Sequence, residues 1–363
     1  SIINDREQGG WLAFITGWSL TLAGLASAAL LAKGFALQFS RLGEVLFDLP
    51  TPPLPWALGV LAAAVIYDIL GSRKRQKGLV VGAILTALLG TLLLGITEFN
   101  FSRFQPSIID WNFSLSLILI SFIGLEITTG RLNEIRKPTR TIPKLMILSP
   151  LLASAAAAVM AGLGIGLGVT AVGTDPLSAL AAIGFHLAGP SGRVIFLVLG
   201  LLIFLLALNR TLMMVVSQFF TMSSHGYWPA ALRTSHDRFR TPALLIAVTG
   251  LLTAAAVFLP IPTLARGGGL LYLLVLMAAN FSLASEEQLA GCPYKLPFHP
   301  WIPILLLIID AICLIFWGPY LLLGAGAVIT GTLIFLIYSQ HHHIEAKEGV
   351  TVFKTQAPVK TKK

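Results

Sequence analysis

At 363 residues, 56% of them hydrophobic and 11% charged, with a mean hydropathy of +0.83, the chain carries under half the charge of a soluble domain, where about 25% of residues are charged. This excludes a soluble globular protein and reads as an integral membrane protein. The net charge of +9 does not point to nucleic acid, because the lysines and arginines lie in short stretches between apolar runs rather than on one basic face.

A membrane-crossing helix needs about 20 predominantly apolar residues. Ten stretches qualify, roughly 11–36, 54–70, 78–98, 110–130, 143–170, 194–222, 242–260, 267–285, 300–317 and 319–339. The predicted architecture is therefore all-α, with a membrane domain over 1–339 and a polar, disordered tail over 340–363. The tail's three histidines, His341 to His343, read as solvated rather than as metal ligands. The opening SIINDREQGG contains no targeting signal, and Ser1 is not an initiator methionine, so the start is expected to be a cut one.

In the early spans, Lys33, Asp68 and Glu98 stand near span ends or in isolation, as does Asp310 further on, and interfacial positions suit all four. The fourth span differs. From Trp111 to Ile127 it is apolar or small except for Glu126, and Gly124 interrupts Phe122-Ile-Gly-Leu-Glu126. A carboxylate at membrane depth costs about 2.5–3.5 kcal/mol on insertion scales, so it faces a polar interior rather than lipid. A helix that opens at Gly124 frees N–H and C=O groups, tolerable only where they line a watery cavity or bind a ligand. The residues alone leave that reading about even with Gly124 packing an ordinary helix crossing. In the next span, alanines from Ala153 to Ala161 with Gly162, Gly164 and Gly166 suit close packing, yet lipid-facing helix is the better reading for most of them. Arg210, inside 194–222, can face a central cavity, pair with Glu126 or snorkel to the cytoplasmic surface, and snorkelling is the default for a long cation.

Orientation follows from the basic residues. One set of loops and both termini hold 19 lysines and arginines, whereas the opposite loops hold four, Arg41, Arg103, Arg193 and Arg266. Short cytoplasmic loops are enriched in these residues, so both termini are predicted to be cytoplasmic, with the protein in the cell membrane. Cys292 and Cys313 have no metal-binding spacing and read as structural thiols. The HExxH, GxSxG and GxxxxGK[ST] patterns are missing, and Ser235-His236-Asp237 is a run of neighbours rather than a triad.

Ser121-Phe-Ile-Gly-Leu-Glu126, followed by Asn133-Glu-Ile-Arg-Lys-Pro-Thr-Arg140 and Ile142-Pro143, resembles the sixth helix and following loop of amino acid/polyamine/organocation (APC) permeases. Lys137 stands where asparagine is usual. Gly9-Gly10 and Gly17-Trp18 look like the end of that family's second helix and the start of its third. Asn209 to Leu232 resembles the eighth helix and its exit, with Ser217-Gln218 and His225-Gly226 replacing the usual Ser-Arg and Asp-Gly. Thr241-Pro242 matches the opening of the ninth.

The resemblance implies a partial APC/LeuT-like inverted-repeat fold, in which the ten spans are helices three to twelve and the first two are lacking. It implies a secondary transporter for amino acids or related amines such as polyamines, working by alternating access, with a small-molecule substrate and the bilayer as partners. No cofactor is implied, and the coupling ion stays open between a proton and sodium. The fifth-helix lysine of some relatives is missing, with Ala87 and Leu88 near its position. On this match the backbone carbonyls of Ile120, Ser121, Phe122, Ile123 and Gly124 accept hydrogen bonds from a substrate ammonium. Glu126 is a proton-sensitive gate or an internal anchor, and Asn209 lies near substrate level. Because the first helix supplies half of the family's site, the chain is expected not to transport alone. The competing reading is a non-transporting scaffold or partner subunit that kept the helical shell. An intramembrane enzyme is disfavoured for want of clustered acids, histidines or cysteines at depth.

Overall fold

In the computed structural model, residues 2–48, 51–70, 110–124, 138–166, 179–224, 227–228, 242–284 and 300–345 are described. Every regular element among them is helical: α1 (Ile2–Phe47), α2 (Pro53–Ile69), α3 (Trp111–Ser121), α4 (Pro138–Gly166), α5 (Ala179–Ser224), α6 (Ala243–Val257), α7 (Ile261–Ala284), α8 (Trp301–Ile315) and α9 (Leu321–Glu345). Four of these, over Gly10–Phe47, Ile147–Ile165, Ala181–Ser224 and Ile261–Ala284, are long and apolar enough to cross a bilayer. The shorter apolar helices include Pro53–Ile69 and Trp111–Ser121. The predicted span 78–98 lies outside the described residues.

Helix α1 runs far beyond its predicted 11–36. Hydropathy registers the part fit for lipid, while the backbone ladder continues into the polar stretch that ends at Phe47. Gly9-Gly10 and Gly17-Trp18 therefore lie inside one helix, not at a boundary between two. A helical glycine costs only about 0.5–1 kcal/mol relative to alanine, and here Gly17 gives a close approach to α5, where a Cβ would lie 3.0 Å from the Gln218 side chain and 3.1 Å from that of Met222. Helix α5 likewise starts ahead of its predicted 194. It bends at Ala188 and Gly189, the latter at φ +60, directly before Pro190, whose ring and missing N–H break the ladder. Helix α9 extends to Glu345, so the first six residues of the predicted tail are helical.

The core is built from small residues. Ala28, Ala29, Ala32 and Ala36 of α1 are fully buried against Ala57, Leu61 and Ala64 of α2 and Leu208 and Leu212 of α5. Such residues let backbones approach where lipid offers no hydrophobic drive. Helices α1, α2, α5 and α6 thus pack mutually, and α7 lies across α1 and carries α3 and α8 on its other sides. Three buried hydroxyls are met within their own helices: Thr21 donates to the Gly17 carbonyl, Thr249 to Leu245 and Thr253 to Thr249, each at 2.8 Å. That i–4 bonding lets a polar residue sit in an apolar interior without a partner from another helix.

Candidate functional site

The sequence singles out the inner end of α3, and there the regular ladder stops. It closes at Ser121, after which the Phe122 and Ile123 N–H groups donate to the Leu119 and Ile120 carbonyls at 3.2 and 3.1 Å, a tightened i–3 turn. Gly124 follows at φ +110, a backbone conformation side chains rarely adopt. The chain leaves the helix where the sequence expected, three residues earlier in onset. Ile120 and Ile123 are buried, Phe122 and Gly124 half-buried, and Ser121 exposed. The Ser121 hydroxyl folds back onto the Ile118 carbonyl at 2.6 Å. The carbonyl of Ile120, expected to face a solute, is already engaged by Ile123. Glu126 and the Asn133 to Lys137 part of the loop motif lie outside the described residues, whereas its Pro138 to Arg140 and Ile142-Pro143, expected in the loop, open α4.

Around this end, Ile120 and Ile123 join one apolar cluster with Leu20 and Ala23 of α1, Met214 and Val215 of α5, and Leu271 and Tyr272 of α7. The seat for α3 is Gly268 and Gly269 of the Gly267-Gly268-Gly269 run in α7, while Gly267 faces Leu323 of α9. A Cβ on Gly269 would meet the Ser116 Cα at 2.7 Å, and one on Gly268 would meet the Ile120 Cδ1 at 2.9 Å. These glycines fix how closely α3 can lie, and the sequence reading passed them by. A glycine triplet inside an apolar span was the available signal.

Asn209 has a different part. Its amide nitrogen donates to the Asp68 carboxylate at 2.7 Å, tying α5 to α2. Asp310 is treated alike, accepting from Asn280 of α7 at 2.8 Å. Both carboxylates are buried against the neighbouring helix, at 7% and 8% exposure. An asparagine on the facing helix supplies the donor that lipid cannot, and such pairs act as interhelical glue. Lys33 donates to the Leu259 carbonyl at the end of α6, where a cation complements the helix C-terminus. It borders a cavity of about 150 Å³ whose other walls are Ala36, Leu37, Pro53, Leu54, Ala57 and Ile261. The Arg210 side chain is exposed.

The outer end of α3 holds a second feature that the sequence reading missed. Asp110, just outside the helix, caps it by accepting the Phe113 N–H at 3.0 Å and also pairs with Arg266 of α7. Arg266 had counted only toward topology. Its Nη1 donates to the Tyr320 hydroxyl at 2.9 Å, and its carbonyl accepts the Trp317 indole N–H at 2.8 Å.

No protein-family model matches the chain. It is similar to the methylthioribose transporter of Bacillus subtilis (strain 168), 25% identical over 372 residues that cover 93% of this chain and 78% of that protein. It is also similar to the branched-chain amino acid permease BcaP of the same organism, 24% identical over 379 residues that cover 92% and 77%. The chain is a relative of membrane permeases. The apolar helices and these relatives together make it an integral membrane protein allied with transporters rather than with enzymes, and a small molecule is the partner that such kinship implies.

Proposed function

We propose that the chain is a secondary transporter of the APC superfamily, with a LeuT-like pair of inverted repeats, that moves amino acids or related amines by alternating access. The observation that carries this reading is the end of α3, where the ladder stops at Ser121 and Gly124 turns to φ +110 inside an apolar protein. Main-chain groups that leave the helical ladder are ones a bound solute can engage. The carbonyls from Ser121 to Gly124 are the proposed acceptors for a substrate ammonium. Glu126, two residues on, is the proposed gate or anchor, and Asn209 contributes by bracing α5 against α2. The mutual packing of α1 and α2 with α5 and α6 supports the repeat arrangement, since these pairs are the corresponding helices of the two proposed halves. Both termini are proposed to be cytoplasmic, from the asymmetry of basic residues.

The two relatives differ in the solute their names give, so the test spans both classes. Because the chain is not expected to transport without the helices that complete the family's site, cells expressing it joined to the first two helices of a permease are offered labelled branched-chain amino acids, polyamines and methylthioribose. Saturable accumulation of one class is expected, lost in Gly124→Val at unchanged membrane abundance, because a β-branched residue strains a positive φ. Absence of uptake for every class, with the protein present in the membrane, overturns the proposal.

A further inference from the structure

Arg266 reaches three parts of the chain at once. Its Nη2 donates to the Asp110 carboxylate, its Nη1 to Tyr320 between α8 and α9, and its carbonyl holds the indole of Trp317. Its guanidinium carbon lies 5.9 Å from the centre of the Phe113 ring and 5.1 Å from that of Tyr320, within cation–π range. Trp317 is fully buried, while the Asp110 side chain is 52% exposed. The arginine is therefore anchored on the core side and joined to α3 on the solvent side.

Beyond this pair, helix α3 is held by apolar contact. It is 11 residues long, rests on α7 and only grazes α1. Its glycine seat allows a close fit, and the buried Ile120 and Ile123 fix its inner end. A turn at the inner end and an ion pair at the outer end are the parts of a hinge and its catch.

We propose that Asp110 and Arg266 are positioning residues, forming a salt-sensitive latch that holds α3 on α7, and that opening it lets α3 pivot about the turn at Phe122–Gly124. What the pivot serves rests on the transport reading above, but the pivot itself is measured without any solute. Ser116 is the reporter, because it is fully buried beneath α7.

In the full chain carrying Cys292→Ser, Cys313→Ser and Ser116→Cys, maleimide labelling at residue 116 is followed in detergent micelles. Raising KCl from about 10 mM to about 1 M shortens the Debye length from about 30 Å to about 3 Å and is expected to speed labelling about fivefold. Asp110→Asn keeps the N-cap, since asparagine caps as well as aspartate, so it removes the charge alone. It is expected to label fast at low salt and to lose the salt response. Asp110→Asn combined with Arg266→Gln is expected to be no faster than either single change, as for two members of one interaction. A control cysteine at Thr253, buried in α6, stays protected at both salt concentrations.

The latch is overturned if labelling at residue 116 ignores salt, if the two substitutions add, or if the Thr253 control accelerates in step. Should the substituted chains fail to fold, the salt series on the unaltered pair decides alone. Salt-gated labelling without solute uptake would keep the latch and remove the transport reading. Uptake with salt-indifferent labelling would do the reverse.

Discussion

Helices α1 and α4 are both long, apolar and rich in alanine, and the fold uses them in opposite ways. Of the most apolar stretch of each, 61% is buried in α1 and 6% in α4. The difference lies in arrangement. In α1 the alanines at 28, 29, 32 and 36 recur at helical spacing on one face, and that face is buried throughout. In α4, Ala155 to Ala158 are consecutive and so circle a whole turn, and all four are exposed. Residues spaced i, i+4 and i+8 share one side of a helix, whereas a run of four covers every side. A face of small residues invites a neighbouring backbone, and a sleeve of them sets none apart.

The largest effect expected from this contrast is on the α1 side. A Cβ on Gly24 would lie 2.5 Å from Cγ2 of Val215, itself fully buried in α5. Valine is stiff at χ1 and cannot swing aside. Gly24→Ala is expected to cost about 3 kcal/mol, the upper end of the overpacking range, seen as a lower melting temperature of the detergent-purified protein. An unchanged melting temperature would mean that α1 and α5 are not in contact at this level.

Much of this division was legible in advance, and what escaped did so for physical reasons. The exposed character of α4, the end of α3 near Gly124 and the start of α6 after Pro242 all follow from local patterns, the last because proline favours helix starts. Helix lengths were not legible, since α1 continues through polar residues that a hydropathy window discounts and α5 continues across the bend at Ala188 and Gly189, where Gly-Pro reads as a stop. Nor were the polar pairings. Asp68 and Asn209 stand 141 positions apart in sequence, and Asp110 and Arg266 stand 156 apart. No local pattern joins such residues, because only the packing of α2 on α5 and of α3 on α7 brings them together. The candidate site was legible in its backbone and not in the seat beneath it.

An intermediate effect is expected where the inner block is held by a polar contact rather than by close packing. Asn209→Ala removes the donor to Asp68 and leaves a buried carboxylate short of one bond. Interhelical hydrogen bonds in membranes are worth about 0.6 kcal/mol on average and up to about 1.7, so a loss of about 1 kcal/mol is expected. Asn209→Gln, longer by one methylene, should not restore it. Thermal unfolding of the three proteins in one detergent measures the series, and a stability equal to wild type in Asn209→Ala would show that the α2–α5 contact rests on its apolar residues alone.

The smallest effect belongs to α4, where the same glycine-to-alanine change should do almost nothing. A Cβ on Gly162 meets no atom within 4 Å, so the steric penalty seen at Gly24 has no counterpart. Alanine also removes the backbone freedom that glycine brings to the unfolded chain, a favourable contribution of about 0.4–1 kcal/mol where the native backbone is compatible. In a membrane the unfolded reference keeps much of its helix, which shrinks that gain, and the net change is expected to stay within about 0.5 kcal/mol, as for surface sites. Measured beside Gly24→Ala, the pair holds residue type and substitution constant and varies what lies across from the new methyl. If Gly162→Ala destabilised the protein as much as Gly24→Ala, another helix would have to lie against α4 on the open side of Gly162, and the contrast between a packed face and an exposed sleeve would fail.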